Sequence, residues 1–371
     1  MVRRRALLAA PLAAPSLARA EEAITITDVT GRTVRLRRPA QRIVLTQGRH
    51  LSVLALLTPD PLGLIVGWAG DLRQGLAAEY AQLRARHPQV DDIPVIGRGP
   101  TDTASFERIL SLRPDLVLLS RYTVSGGVGG AEAGMARRLQ AVGIPSAVID
   151  FFANPLGDSK RSIAILGALI GRDAQAAAFN AFYASKMDAV AARLAGQAAR
   201  PPVLVQAHAG GTACCFSAGT GSFNAMIEAA GGRNIATGVL PGPMGQLSLE
   251  YVLSANPFVY AATGGPFGGA RGGVTMGAGA TEAEARESLA RVVRSQGLER
   301  LAAVREGRAH ALWHGFNDTP AHFLAVEVLA RWLHPEPMRG IDPAASLAEL
   351  NARFLALPME GTYWADLEAG A

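Results

Sequence analysis

Three arginines, Arg49, Arg98 and Arg121, each stand just past a short apolar run that reads as a β-strand: RIVLT, IPVIG and DLVLLS. In open α/β sheets ligands gather beyond the carboxyl ends of the strands, so the residues just past each run are the physical candidates for a site. An arginine fork pairs with carboxylate or catecholate oxygens and keeps its charge at any ordinary pH. Flat apolar groups stand at other exits: Trp68 after LGLIVG, Tyr122 after DLVLLS and Arg121, Phe152 after SAVID and Phe151, and Trp313 with Phe316 after RAHAL. Cationic forks among aromatic walls suit a large organic anion.

Histidines form a second set. His50, His208 and His314 all lie at strand exits and could converge on a bare divalent metal or on haem iron. No HxH or HExxH spacing supports that, and the exits so read contribute no Asp or Glu. The alternative is three hydrogen-bonding imidazoles at a cleft edge. Arg271, inside GGPFGGARGGVTMGAG (264–279), completes the candidates; that stretch has eight glycines but neither Walker nor GxGxxG spacing. It reads either as a lid or as a plain surface insertion.

Catalytic signatures are missing. No Ser sits in GxSxG, no acid–base pair is set by spacing, and no nucleotide motif is found, so no residue is assigned a catalytic role. An exported α/β enzyme acting in an interlobe cleft remains a lesser alternative. Cys214 and Cys215 are the only cysteines. Adjacent thiols either stay reduced and buried or close a vicinal disulfide in an oxidising compartment; they lack the CxxC spacing of redox and zinc sites.

The elements that position these residues come in two series. After a hairpin signal at 24–36, the apolar runs 42–46, 62–68, 93–97, 115–120 and 146–150 alternate with helical stretches His50–Leu57, Leu72–Arg86, Ser105–Leu112 and Ala131–Val142. The second series has strands at 202–208, Pro257–Thr263 and Ala309–Trp313, and helices at Gly221–Ala230, Thr281–Val304, Ala321–Trp332 and Ser346–Leu355. Strand–helix alternation of this kind implies mostly parallel sheets flanked by helices. Between the series, residues 154–200 carry apolar positions at three and four, with Gly167 and Gly171 inside, and predict one long helix or two abutting ones. The expectation is therefore an α/β protein: an N-terminal lobe (21–153), a connecting α-helical spine (154–200) and a C-terminal lobe with an extension (201–371). A stiff spine limits how far such lobes close.

One short text is written twice. SFERILSLRPDLVLLS (105–120) and SLEYVLSANPFVYAAT (248–263) align without a gap, 143 residues apart, and share Ser105/Ser248, Glu107/Glu250, Leu110/Leu253, Ser111/Ser254 and Pro114/Pro257. Each copy sets a glutamate in the first turn of a helix, where the helix dipole alone would favour it.

Residues 1–20 read as a cleavable secretory signal: Arg3, Arg4 and Arg5, a 12-residue apolar run, then Ala18-Arg19-Ala20. The run falls short of the ~20 residues that span a bilayer. The segment holds four of the 36 basic residues and none of the 31 acidic ones, so the rest of the chain carries 36 − 4 = 32 basic groups, a net of +1. That excludes a global basic field for nucleic acid. No cysteine stands after the signal to take a lipid anchor, so the expectation is a free periplasmic protein.

ITDVTGRTVRLRRPAQRIV, the two duplicated segments, the central helix, SFNAMIEAAGGRNIA and VREGRAHALWHGF, in this order and spacing, resemble the periplasmic substrate-binding proteins of ABC importers for ferric siderophores, haem and cobalamin. The likeness covers essentially all the chain after residue 20. It implies a monomeric receptor that holds no cofactor of its own. Such a receptor captures a ferric siderophore, an Fe(III) complex, by its organic shell and delivers it to a permease dimer in the inner membrane. In that family one acidic residue of each lobe docks into a basic pocket of the permease, and Glu107 and Glu250 stand at the matching places. Haem or a bare divalent metal is the alternative cargo. The C-terminal stretch from HGFNDTPAHFLAVEVLARWLHPE to GTYWADL resembles iron-complex binders and speaks against cobalamin, whose shorter binding proteins lack it.

Overall fold

The computed structural model describes residues 23–97, 104–121, 131–265 and 272–367. Residues 1–20, read above as a secretory signal, thus lie outside the described residues, as do Arg98, Tyr122 and Arg271.

The first lobe opens with an antiparallel hairpin, β1 (Ile24–Thr27) and β2 (Thr33–Leu36). The buried Asp28 carboxylate closes its turn by accepting from the Thr30 and Arg32 N–H groups. It also accepts from the N–H of Val148 at 3.1 Å, which fastens the hairpin to the sheet. That sheet has β3 (Ile43–Leu45), β4 (Ile65–Ala69), β5 (Val95–Gly97), β6 (Leu116–Ser120) and β7 (Ser146–Ile149) in the order β5-β4-β3-β6-β7. All neighbours run parallel. Helices cover both faces, so β3, β6 and β7 are buried at every residue, as the unbroken apolar runs require.

The second lobe holds β8 (Pro202–Gln206), β9 (Phe216–Ala218), β10 (Arg233–Asn234), β11 (Met244–Gln246), β12 (Val259–Gly264), β14 (Ala309–Trp313) and β16 (Trp364–Asp366). Its order is β11-β9-β8-β12-β14-β16, with β10 beside β8. β8, β12 and β14 are parallel, while β9, β11 and β16 run antiparallel at the margins. A separate two-stranded ribbon pairs β13 (Gly277–Ala278) with β15 (Gly361–Thr362). The α/β class with two sheet-bearing lobes is therefore as the alternation predicts.

The spine is two helices, Pro155–Leu169 and Asp173–Leu194, with Gly171 at φ +66° in the break. Glycine enters that left-handed conformation without the Cβ penalty other residues meet. The predicted helix Leu72–Arg86 is likewise two, Asp71–Gly75 and Ala77–Arg86, and Thr281–Val304 is split into Glu282–Ser295 and Ala302–Arg305 around Gly297 at φ +70°.

The duplicated text gives duplicated structure. Ser105 and Ser248 both cap a helix, accepting from the N–H of Arg108 and of Tyr251. Both helices exit through a left-handed residue before the shared proline: Arg113 at φ 47° and Asn256 at φ 40°, again 143 positions apart. A buried strand comes after each, β6 and β12.

The C-terminal extension is not confined to the second lobe. After helix Pro343–Arg353 the chain crosses to the first lobe, where the Ala356 N–H donates to the Ala55 carbonyl at 3.0 Å. Gln82 donates to the Glu360 carbonyl at 3.2 Å, and Arg86 pairs with the Glu360 carboxylate. The chain then returns through β15 to β16.

Cys214 and Cys215 are joined in a disulfide, with Cys215 buried. Of the two states open from the sequence, the structure holds the oxidised one.

Candidate ligand cleft

Strand exits of the two lobes meet: Arg49, past the carboxyl end of β3, lies beside Asp318, past that of β14, across the candidate cleft. On the first-lobe side, Asp71 ties two strand exits together. Its carboxylate accepts from the Gly48 N–H at 2.6 Å and from Arg49 Nε at 3.0 Å. Arg49 is a quarter exposed, and its NH1 lies 3.8 Å from Asp318 Oδ2 of the second lobe. At that distance the pair attracts without a hydrogen bond, so the guanidinium keeps donors for other partners. Burial alone would lower the Arg49 pKa, but the carboxylates of Asp71 and Asp318 outweigh it and raise it. His50, almost fully buried, has Nε2 3.8 Å from Asp318 Oδ1. Its ring meets Phe151 edge-on at 6.0 Å.

On the second-lobe side, the His208 and His314 rings lie 3.8 Å apart between centroids, tilted by 37°. His314 is fixed at both ends: Nδ1 is 2.8 Å from Thr263 Oγ1, and Nε2 is 3.0 Å from Asn317 Nδ2. Thr263 Oγ1 also accepts from the His208 N–H at 3.0 Å. The neutral Nδ1–H tautomer satisfies the set, donating to Thr263 and accepting from the Asn317 amide. Both ring nitrogens are then engaged, which suits a hydrogen-bonding residue better than a metal ligand. Burial lowers the His208 pKa to about 4 and the His314 pKa well below its ordinary value, and the nearby Arg49 charge adds to both. Both imidazoles are neutral at pH 7.

Of the three arginines expected to make the cleft positive, the two described ones are each met by carboxylates. Arg49 faces Asp71 and Asp318, and Arg121 is paired with Asp158 of the spine, which Asn154 also contacts. Asp150, at the end of β7, accepts from the N–H groups of Phe152, Ala153 and Asn154. Burial raises its pKa despite those donors, and Asp318 adds to the rise. The expectation that no acid stands at the strand exits is thus corrected: Asp71, Asp150 and Asp318 all do. Asp71 lies two residues past β4 and Asp150 closes SAVID, so strand-end reading could have found both.

The aromatic candidates divide. Trp68 is buried inside the first lobe against Tyr80, 6.2 Å between centroids. Phe316 is fully buried beneath Trp313, edge to face at 5.2 Å. Phe152 is half-buried at the lobe junction, where its carbonyl accepts from the Ser222 N–H at 2.9 Å. Trp313 meets both lobes. Gly277, at φ +99°, leaves a gap between the Trp313 indole and the Glu79 carboxylate that a Cβ would fill. No sequence signal announces Glu79; burial raises its pKa, although the Ala278 N–H and Trp313 offer hydrogen bonds.

Glu107 and Glu250 are both exposed, each in the first turn of its helix, and Glu107 is 3.2 Å from Arg138. Among the described residues no group of three or more His, Cys, Asp or Glu is arranged to hold a metal ion, and no helix is long and apolar enough to cross a membrane.

Residues 54–312 match the family model of periplasmic binding proteins. No curated protein matches the chain significantly. Among solved structures, a TroA-like periplasmic binding protein, FepB from Veillonella parvula, is 26% identical with a TM-score of 0.83, over 93% of this chain and 100% of that one. The molybdate-bound protein MolA of Haemophilus influenzae is 20% identical, with a TM-score of 0.68 over 89% of this chain and 97% of its own. A protein of an ABC-type Fe3+-hydroxamate transport system from Saccharomonospora viridis is 22% identical, with a TM-score of 0.56 over 84% and 98%. The last two speak for the fold alone.

Proposed function

This chain belongs to the periplasmic binding protein family, whose members bind substrates for ABC transporters rather than transform them, and from that premise we propose that it captures a ferric siderophore and delivers it to an inner-membrane permease dimer. The family places it in the periplasm; residues 1–20 would be the cleavable signal that takes it there, and the mature protein would work as a monomer. Glu107 and Glu250 would be the two contacts with the permease.

The observation that carries this reading is the seat of Arg49 between an acid from each lobe, beside two neutral imidazoles. Among the described residues such a cleft sets Arg49 and Arg121 against Asp71, Asp158 and Asp318, with burial favouring the protonated form of Asp150, so it offers hydrogen-bond donors without an excess of positive charge. It suits a chelate whose iron already has its oxygen ligands and whose net charge is small, as in a ferric tris-hydroxamate, better than a highly charged tris-catecholate.

Intrinsic fluorescence titration with ferrioxamine, a ferric tris-catecholate, haemin and zinc tests it. Saturable quenching by ferrioxamine is expected, weakened at least tenfold by Arg49→Ala. Quenching by haemin or zinc alone would overturn the reading in favour of the other cargo.

A further inference from the structure

Beside the cleft lies a compartment that the strand exits do not account for. A cavity of about 130 Å³ runs between helix Ala77–Arg86 of the first lobe and the crossing C-terminal segment. Its walls are apolar, with Leu72, Leu76 and Leu83 on one side and Leu355, Leu357 and Met359 on the other. Arg49, Asp318 and Trp313 line it as well, so it opens onto the polar cluster of the cleft.

Most of the surface that this cavity presents is apolar, and a water needs two to four hydrogen-bond partners, so its leucine and methionine walls favour an apolar group over water. Leaving it empty forfeits dispersion contacts on every wall. The C-terminal segment forms one wall of it, held by the Ala356–Ala55 hydrogen bond and the Glu360 contacts. Nothing in the permease contacts or in the strand-exit cluster needs such a chamber. Polar side chains also reach its lining, among them Ser52, Gln82, Arg86 and Thr319; Glu79, kept towards its protonated form by burial, stands against the Trp313 indole.

We propose that this chamber is a second compartment of the binding site, taking an uncharged single ring or short branched alkyl group, about six carbons, carried by the molecule whose polar part sits at Arg49 and Asp318. The inference rests on the cleft reading for the polar part of the ligand only; the chamber's own affinity for an apolar group is independent of it.

Crystals of the protein pressurised with xenon and benzene titration followed by thermal shift test the chamber directly. Xenon density beside Leu76 and a saturable benzene-induced rise in Tm are expected. Absence of both overturns the proposal. The link to the cleft is read by comparing ferrioxamine with its benzyl amide: the benzyl form should bind at least tenfold tighter, and Leu76→Trp, which fills the chamber, should erase that gain while ferrioxamine itself still binds. Leu357→Phe serves as a second filling variant should the first not fold. Equal affinity for the two chelates overturns the link even if benzene binds. If neither chelate binds while xenon and benzene do, the chamber stands and the ferric-siderophore reading falls.

Discussion

The backbone N–H of Ala356 donates to the carbonyl of Ala55 at 3.0 Å, joining the C-terminal extension to the first lobe. The two lobes are therefore held by more than their helical spine: the extension starts in the second lobe, touches the first and returns. Ala356→Pro removes that donor. It should lower stability by about 1–3 kcal/mol, from the lost bond and the imposed backbone angle, and widen the molecule in small-angle scattering. An unchanged radius of gyration with an unchanged Tm would mean that the crossing does not restrain the lobes.

His322 makes a prediction about acid. It is fully buried with Nε2 2.7 Å from the Tyr183 hydroxyl, and burial depresses its pKa to about 4 from 6.5 despite the Thr319 backbone contact. The unfolded chain takes up this proton first as pH falls, so the stabilisation is complete above 6.5 and is lost progressively towards 4. Urea unfolding should show a decline across that window of up to about 3 kcal/mol from this residue. His322→Gln should flatten the decline by a comparable amount.

Glu327 works in the opposite direction. It is buried on helix Phe323–Leu333, with one carboxylate oxygen accepting from the Ser346 hydroxyl at 3.0 Å. Burial raises its pKa to about 7 from 4.5; Asp342 and Glu349 reinforce the rise, against Ser346 and Lys186. Its contribution is whole below 4.5 and lost as pH climbs to 7. Glu327→Gln should therefore raise Tm at pH 8 and leave it nearly unchanged at pH 4. An equal effect at both values would show that the carboxyl does not titrate in this window.

Charge reversal at the duplicated glutamates separates capture from delivery. Both side chains are exposed, and the Glu107–Arg138 contact is a surface pair worth ~0–1 kcal/mol. Glu107→Lys and Glu250→Lys should leave ferrioxamine affinity within twofold and stop uptake in a strain that depends on this protein. Loss of chelate binding in either variant would place these residues in the cleft instead.

Much of the fold was legible because alternation of apolar runs and helical stretches is a local property. The strands that carry no such signal, β9, β11, β15 and β16, are two or three residues long and antiparallel, and they lack an apolar run to announce them. Leu72–Arg86 reads as one helix in its spacing, yet the chain breaks after Gly75.

In the cleft, the positions at strand exits were readable but their electrical balance was not. Arg49 meets Asp71 from 22 residues away and Asp318 from the other lobe, while Arg121 meets Asp158 across 37 residues. Such pairings exist only once the chain has folded, and the Arg49–Asp318 one only once the lobes face each other. The aromatic residues show the same limit: Trp68 ends the same kind of run as Trp313, and only packing sends one into a core and the other to the lobe junction.

The strand β16 borders β14 through residues 310–312, and Asp366 also receives the Trp332 indole N–H. These residues come later in the chain than the strand and the helix they seal. Until they arrive, the margin of the second sheet offers bare N–H and C=O groups that another chain could zip onto. Without Trp364–Asp366 that margin would be sticky rather than merely weak.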